Sequence, residues 1–383
     1  MPWEETTRME RRVEFVEKFD SALYTVTELC ARYGISRKTA YKWLNRYGQE
    51  GEQGLTDRSR APKSSPSRTP DSVVRRLLEL RRKHPTWGPR KLLVFLAKQS
   101  PAEDWPAAST AGDILKRHGL VQERSRRHAR APIQRGSLTS ATDPNHVWAC
   151  DFKGQFRTSD GRLCYPLTVT DNFSRYLLGV EGLESPSDAQ SWPVFERLFR
   201  EYGLPAVMRS DNGGPFASAR ALCGLSRLSV RWIKLGIVPE RIKPGHPEQN
   251  GRHERMHRDL KQETARPPAA NRLAQQESFD RFRHVRNEER PHEALGQRTP
   301  GELYCPSSRP YPSKMPELCY PGHFEVRSVH LGGELKFRGG LLFLSEALQG
   351  ERVGLEEFDD GLWSVYLAEV LLGRFDERVL KVY

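Results

Sequence analysis

HVWACDFKGQF, residues 146–156, decides how the rest of this chain is read. Trp148, Cys150 and Phe152 alternate with Ala149, Asp151 and Lys153, the period-two pattern of a β-strand. One member of that pattern is a carboxylate. Burying Asp151 among such neighbours is costly unless a partner or a cation compensates. CYPLTVTD (164–171) and RYLLGVEGL (175–183) read as two further strands. SDAQSWPVFERLFREYG (187–203) reads as a helix, and AVMRSDNGGPF (206–216) as a short strand that runs into a polar turn. Polar helix-formers dominate 248–263, and FDRFRHVRNEER (279–290) suggests another helix. Strands first, then alternation with helices, predict a mixed sheet covered by helices.

Upstream the character changes. Residues 1–140 hold 28 Lys and Arg against 16 Asp and Glu, which is the whole of the net charge of +12. The remaining residues balance at 33 of each, and 291–383 carry 10 against 14. Excess positive charge concentrated in one third of a chain points to a polyanion, because Lys and Arg contacts to phosphates dominate nucleic-acid affinity. TVTELCARYGISRKTAYKWLNRY (25–47) supplies a reader. Leu29, Ile35, Ala40 and Leu44 form its apolar face, Gly34 is placed to end one helix and Ser36 to cap the next. That is a helix-turn-helix, with Arg37, Lys38, Thr39, Tyr41 and Lys42 expected in the major groove. A second helical unit runs from VVRRLLELRRKHP to ILKRHGL. Within it WGPRK (87–91) opens a helix and offers Arg90 and Lys91 to DNA. Beyond it, Arg124, Arg126, Arg127 and Arg130 are available to phosphates.

These shifts give the expected organisation: helix-turn-helix 1–56, linker 57–72, second helix-turn-helix 73–130, linker 131–144, mixed α/β core 145–298, linker 299–322 with six prolines, and C-terminal β domain 323–383. The last alternates apolar and polar residues between glycine turns, as a small β-barrel would. Six cysteines lie scattered without C-x-x-C spacing, which argues against a disulfide framework or a zinc ribbon. No apolar run is long enough to span a bilayer and no leader precedes the first helix, so a cytoplasmic, nucleoid-associated bacterial protein is expected.

Three carboxylates fall where such a core can gather them: Asp151 in the first strand, Asp211 at a strand end followed by Asn-Gly-Gly, and Glu254 on a polar helix. Hard oxygen donors without thiolate select Mg²⁺ or Mn²⁺. Two such ions about 3.5–4 Å apart serve phosphoryl transfer. Glu254 also lies inside HERMH (253–257), which spells H-E-x-x-H, the signature of zinc peptidases. A peptidase helix needs apolar flanks, whereas NGRHERMHRDLKQE offers only Met256 and Leu260. His253 and His257 are therefore expected as polar helix residues near DNA, with zinc hydrolysis the remote alternative.

Residues 147–300 resemble the integrase core of retroviruses and of bacterial insertion-sequence transposases, the DDE class with an RNase H-like α/β fold. The stretches that carry the resemblance are WACDFKG, LTVTDNFSRY, GLPAVMRSDNGGPF, LGIVPERIKPGHPEQNGRHERMHRDLKQE and RPHEALGQRTPGELY. YGISRKTAYKW, GLTDRSRAP, PTWGPRKL and ILKRHGL extend it toward the N-terminus. The resemblance implies that Asp151, Asp211 and Glu254 are the catalytic triad and the ligands of two Mg²⁺ per site. It implies a DNA transposase that frees 3′-OH ends and transfers them to target DNA, assembled on DNA as at least a dimer. Asn250, Glu254, His257 and Lys261 share a helical face at i, i+4, i+7 and i+11, and Arg258 and Lys261 match basic positions that hold end DNA. Two features depart from the family. Arg286-Asn287 stands where Tyr-Asn is common before xxRPH. The 42 residues between Asp211 and Glu254 exceed the usual retroviral interval, with SARALCGLSRL as the excess. Glu248 is the closer-spaced alternative, but it precedes Gln249-Asn250-Gly251. A DNA-binding regulator or an inactive, domesticated transposase is the other functional reading.

Overall fold

The computed structural model describes residues 7–59, 68–121, 138–218, 224–243, 249 and 251–383. Arg124, Arg126, Arg127, Arg130, Glu248 and Asn250 lie outside the described residues. The chain divides into two compact units, residues 1–69 and 70–383.

The described residues of the first unit form three α-helices, α1 (Arg8–Asp20), α2 (Val26–Tyr33) and α3 (Arg37–Glu50), and a short 3-10 helix over Gly51–Leu55. Thr25 and Glu28 form a reciprocal capping box at the start of α2. Gly34 ends that helix at φ 64°, a left-handed conformation that costs glycine little. Ser36 then caps α3 by accepting from the Thr39 N–H. Phe15, Val16, Leu29, Cys30, Ala40, Trp43 and Leu55 close the small core. Ile35 and Leu44 are only half-buried at its margin.

The second unit opens with α4 (Asp71–Lys83), α5 (Pro89–Gln99) and α6 (Ala108–Arg117), packed around Leu77, Trp87, Leu92, Leu96 and Ile114. Pro89 occupies the first turn of α5, where its missing N–H goes unused. This helical layer rests on the rest of the unit: Val285 packs against it, and Thr86 donates to Glu263 at 2.6 Å.

The central sheet runs β4 (Leu177–Leu183), β3 (Leu163–Asp171), β1 (Val147–Phe152), β5 (Val207–Ser210), β6 (Val238–Arg241), with the two-residue β2 (Phe156–Arg157) also on β3. β1–β3 and β3–β4 are antiparallel; β1–β5 and β5–β6 are parallel. Strand alternation sorts the two faces. Trp148, Cys150, Leu167 and Val169 point to α7 (Asp188–Tyr202) and α8 (Arg227–Lys234), against Phe195, Phe199, Leu228 and Trp232. α9 (Gly251–Thr264) and α10 (Arg272–His284) pack Met256, Leu260, Phe279 and Phe282 on Cys164, Leu177 and Val180. The proline-rich 299–322 segment is laid on this core rather than strung between domains. Tyr304 stacks on Tyr176 at 4.4 Å and donates to Asn145, while Arg309 donates to the carbonyls of Pro205, Leu235 and Gly236.

C-terminal residues form an open antiparallel sheet, β13 (Lys381–Val382), β12 (Val370–Asp376), β11 (Leu362–Leu367), β10 (Arg352–Asp359), β7 (Glu325–Ser328), and a separate hairpin of β8 (Glu334–Phe337) and β9 (Gly340–Phe343). The expected barrel is thus not a closed one: the strand order ends at β7 and β13. Its apolar face packs on Leu225, Val230 and Ile233, so α8 serves two cores at once. Among the described residues no helix is long and apolar enough to cross a membrane.

Candidate active site

Asp151 lies on β1 directly opposite Thr168 of β3, so both side chains leave the sheet on the face covered by α9. The strand alternation that sends Trp148, Cys150 and Phe152 into the α7 core necessarily sends Asp151 the other way. Burial first, and then the negative charge of Asp211, push its carboxyl up to about 7. The Phe152 N–H and Lys153 act in the opposite direction, and Glu254 adds to the upward push. Two carboxylates far along the sequence, Asp211 and Glu254, therefore both bear on Asp151.

Asp211 follows β5, the parallel neighbour of β1. Its Oδ1 accepts from the Gly213 N–H at 3.0 Å, and Asn212 anchors the turn by donating to the Ile242 carbonyl at 2.7 Å. A Cβ at Gly213 would stand 3.2 Å from Asp211 Oδ2, so glycine leaves room for the carboxylate. One residue upstream of Ser210, Arg209 is nearly buried and pairs with Glu240 of β6 at 2.7 Å. Thr139 completes that pair, donating to Glu240 and accepting from Arg209.

Glu254 is exposed in the first turn of α9, with Arg258 and Lys261 exposed on the same helix. His257 does not share their surface. It is 4% exposed and His253 2%, and both turn Nε2 to the Thr168 hydroxyl, at 2.7 and 2.8 Å. The expectation of two polar histidines near DNA is corrected here: the buried stripe of α9 is His253, Met256, His257, Leu260 and Thr264. Burial drives the His253 imidazole down to about 3 and His257 lower still, so both are neutral. The zinc arrangement fails on the same geometry, because the two Nε2 atoms converge on a hydroxyl while Glu254 projects outward.

Of the helix-turn-helix residues, Arg37, Lys38, Tyr41 and Lys42 are exposed on α3. Thr39 is half-buried and tied to Ser36 at 3.0 Å. In the second helical layer Arg90 is exposed and pairs at 3.4 Å with Glu293. Lys91 is half-buried against the core; burial, then the positive charge of Arg290, lower its ammonium to about 8. Sequence reading passed over Thr168 and the Arg209–Glu240 pair, both of which depend on strand register. It also passed over Asp171, a fully buried carboxylate. Asp171 accepts from the Asn145 N–H at 2.8 Å and from the Ser174 N–H and hydroxyl at 2.7 and 2.6 Å. It shapes the turn after β3.

Among the described residues no group of three or more His, Cys, Asp or Glu is gathered closely enough to hold a metal ion. The donor set still suits a hard cation. Asp211 raises the cost of ionising Asp151, and a divalent cation between oxygen donors removes that cost.

Comparison with known proteins agrees with this architecture. Integrase core domain models match residues 141–247 and 235–300. A helix-turn-helix domain matches 11–63 and a homeodomain-like domain 39–115. The C-terminal domain of IS481 family transposases matches 324–382. An uncharacterized protein of insertion element IS476 from Xanthomonas euvesicatoria is 27% identical over 242 residues, spanning 62% of this chain and 66% of that one. One of insertion element IS407 from Burkholderia multivorans is 26% identical over 242 residues, 63% of this chain and 83% of that one. The HTLV-2 integrase catalytic core domain in complex with magnesium is 15% identical over 43% of this chain and all of that one. Its TM-score of 0.35 is too low to bear on the assignment. Helix-turn-helix, integrase-core and insertion-sequence C-terminal matches follow one another along a single polypeptide, and together they support a bacterial insertion-sequence transposase with an integrase-like core.

Proposed function

We propose that this chain binds the ends of a transposable element, hydrolyses a phosphodiester there to free 3′-OH ends, and joins those ends to target DNA. The observation that carries the reading is Asp151, a carboxylate on the central strand held high by burial and by Asp211, in a chain of this family. Strongly perturbed carboxylates cluster at functional sites. Asp151, Asp211 and Glu254 are the residues that would hold two divalent cations, Mg²⁺ or Mn²⁺. Such a pair, when bound, activates the attacking oxygen and stabilises the leaving one.

The chain's own part is positional. β1 holds Asp151 and the end of the adjacent β5 holds Asp211, while α9, packed on the face to which Asp151 points, carries the third carboxylate. Arg258 and Lys261, exposed on α9 beyond Glu254, are suited to the phosphates of the reacting strand. On α3, the exposed Arg37, Lys38, Tyr41 and Lys42 are suited to the major groove of the element's ends. Arg90, exposed at the start of α5, is suited to backbone phosphates; Lys91 joins it only if the helical layer shifts on DNA. Two ends must meet for joining, so assembly on DNA as at least a dimer belongs to the same reading.

The test uses DNA carrying the inverted repeats that flank the gene, with Mg²⁺, Mn²⁺ or chelator. The full chain should nick the ends and join them in either metal, and Asp151→Asn, Asp211→Asn and Glu254→Gln should bind the ends without cutting. Cleavage surviving in Asp151→Asn would overturn the carboxylate assignment. End binding with no cleavage by the unmodified chain would instead leave a DNA-binding regulator.

A further inference from the structure

The Thr168 hydroxyl is the meeting point of three contacts: 3.0 Å to the Asp151 carbonyl oxygen, 2.8 Å to His253 Nε2 and 2.7 Å to His257 Nε2. A carbonyl only accepts, and a hydroxyl offers one proton and two lone pairs. All three contacts are satisfied by a single assignment. The hydroxyl donates to the carbonyl and accepts an Nε2–H from each imidazole. Both rings are then Nε2–H tautomers, and each carries an unprotonated Nδ1. That of His253 accepts from the Thr170 hydroxyl at 3.3 Å. That of His257 stands 3.8 Å from Asp151 Oδ2, beyond hydrogen-bonding range.

We propose that Thr168 is a positioning residue for the cation site: by fixing His257 as the Nε2–H tautomer, it presents an acceptor rather than a donor to the Asp151 carboxylate. The proposal rests on the reading of Asp151 as a cation ligand. An Nδ1–H at that position would reach for Oδ2, an oxygen that a cation also needs, and hold the carboxylate against the ring. A lone pair cannot do so. The same hydroxyl also grips the main chain of Asp151, so ring orientation, tautomer and the β1–β3 register are set together. Both imidazoles are shut from solvent beneath α9, and their rings meet edge to face at 4.8 Å, which leaves them little freedom to flip. This is the role an outer partner plays around a metal ligand, usually through a donor N–H; here the geometry demands the opposite polarity.

Two measurements on the full chain test it. Long-range ¹H–¹⁵N spectra of the metal-free protein should show His253 and His257 as Nε2–H tautomers, and Nδ1–H at His257 would overturn the proposal. Calorimetric titration with Mn²⁺ then compares Thr168→Val, which keeps the shape and removes the hydroxyl, with Thr168→Ser, which keeps the hydroxyl. The valine variant should bind Mn²⁺ about tenfold more weakly and the serine variant within about twofold of the unmodified chain. Equal affinities in the two variants would overturn the role of Thr168. Should valine prevent folding, the tautomer spectrum of the unmodified chain still decides. Mn²⁺ binding that persists undiminished in Asp151→Asn would sink the cation-site reading itself, a different result from loss in Asp151→Asn with no difference between valine and serine.

Discussion

Replacing Asp151 by Asn should abolish strand cleavage and, in chelator, make the protein more stable. The magnitude follows from the carboxyl's environment. Its pKa moves from 3.8 to about 7 on folding. At 1.36 kcal/mol per unit that is about 4 kcal/mol, an order-of-magnitude figure to be read as a few kcal/mol. Because the folded value is the higher one, the folded state keeps a proton that the unfolded state has already released. Below pH 3.8 both states are protonated and Asp151 costs nothing by this route. The cost grows as pH rises through the window from 3.8 to 7 and is complete above it. Asn carries no charge to bury, so the variant's advantage should be small at pH 4.5 and full by pH 8. Urea unfolding at several pH values, with the transition of residues 70–383 followed separately from that of the N-terminal unit, measures it. An Asp151→Asn protein no more stable than the unmodified chain at pH 8, or a difference independent of pH, would refute the reasoning. Asp171→Asn is the comparison: burial raises its carboxyl too, but hydrogen bonds to both oxygens, made out of solvent, work against that rise. An amide can accept on only one side, so this change should destabilise by about 1–3 kcal/mol.

Glu240→Ala strands a nearly buried Arg209 and should cost about 3 kcal/mol in urea, while the double change Arg209→Met with Glu240→Leu should be much milder; equal losses would show that the pair itself matters little. Burial lowers His253 from 6.5 to about 3, so stability present above pH 6.5 should drain away at roughly 1.4 kcal/mol per pH unit as pH falls toward 3. His253→Gln should flatten that slope, and parallel pH curves for the two proteins would remove the explanation. Ile233→Ala opens a cavity where α8 meets the C-terminal sheet and should cost about 2–4 kcal/mol, with hydrogen exchange rising in residues 324–382; exchange confined to α8 would mean that the sheet holds without it.

The core was largely legible because its strands obey a simple alternation. Trp148, Cys150 and Phe152 on one face and Asp151 on the other could be read from eleven residues, and Gly34 with Ser36 marked the first helix-turn-helix as clearly. What pairs across strands was not legible. Thr168 faces Asp151, and Glu240 faces Arg209, only through a register that no local pattern specifies. The proline-rich 299–322 segment read as a linker for a related reason. Its anchors are Tyr304 and Arg309, and their partners lie on strands and loops about 70–160 residues away. In the C-terminal domain, alternation revealed strands but could not say whether their sheet closes.

α9 shows where hydrophobicity misleads. By composition the helix is solvent-facing, with Met256 and Leu260 as its two evident apolar residues. Yet its buried stripe follows helical spacing through His253, Met256, His257, Leu260 and Thr264. The polar members are tolerated because each has a partner: both imidazoles meet Thr168, and Thr264 donates to the Leu260 carbonyl at 2.7 Å. A polar residue can therefore stand at a core position whenever the opposite element supplies the matching atom, and that element is not in the local sequence. HERMH is then two faces of one turn. His253 and His257 belong to the interior and fasten α9 to β3 beside Asp151. Glu254 belongs to the exposed surface. The helix that offers the third carboxylate is thus held by the same hydroxyl that grips the main chain of the first, so a change at Thr168 should disturb both carboxylates while touching neither.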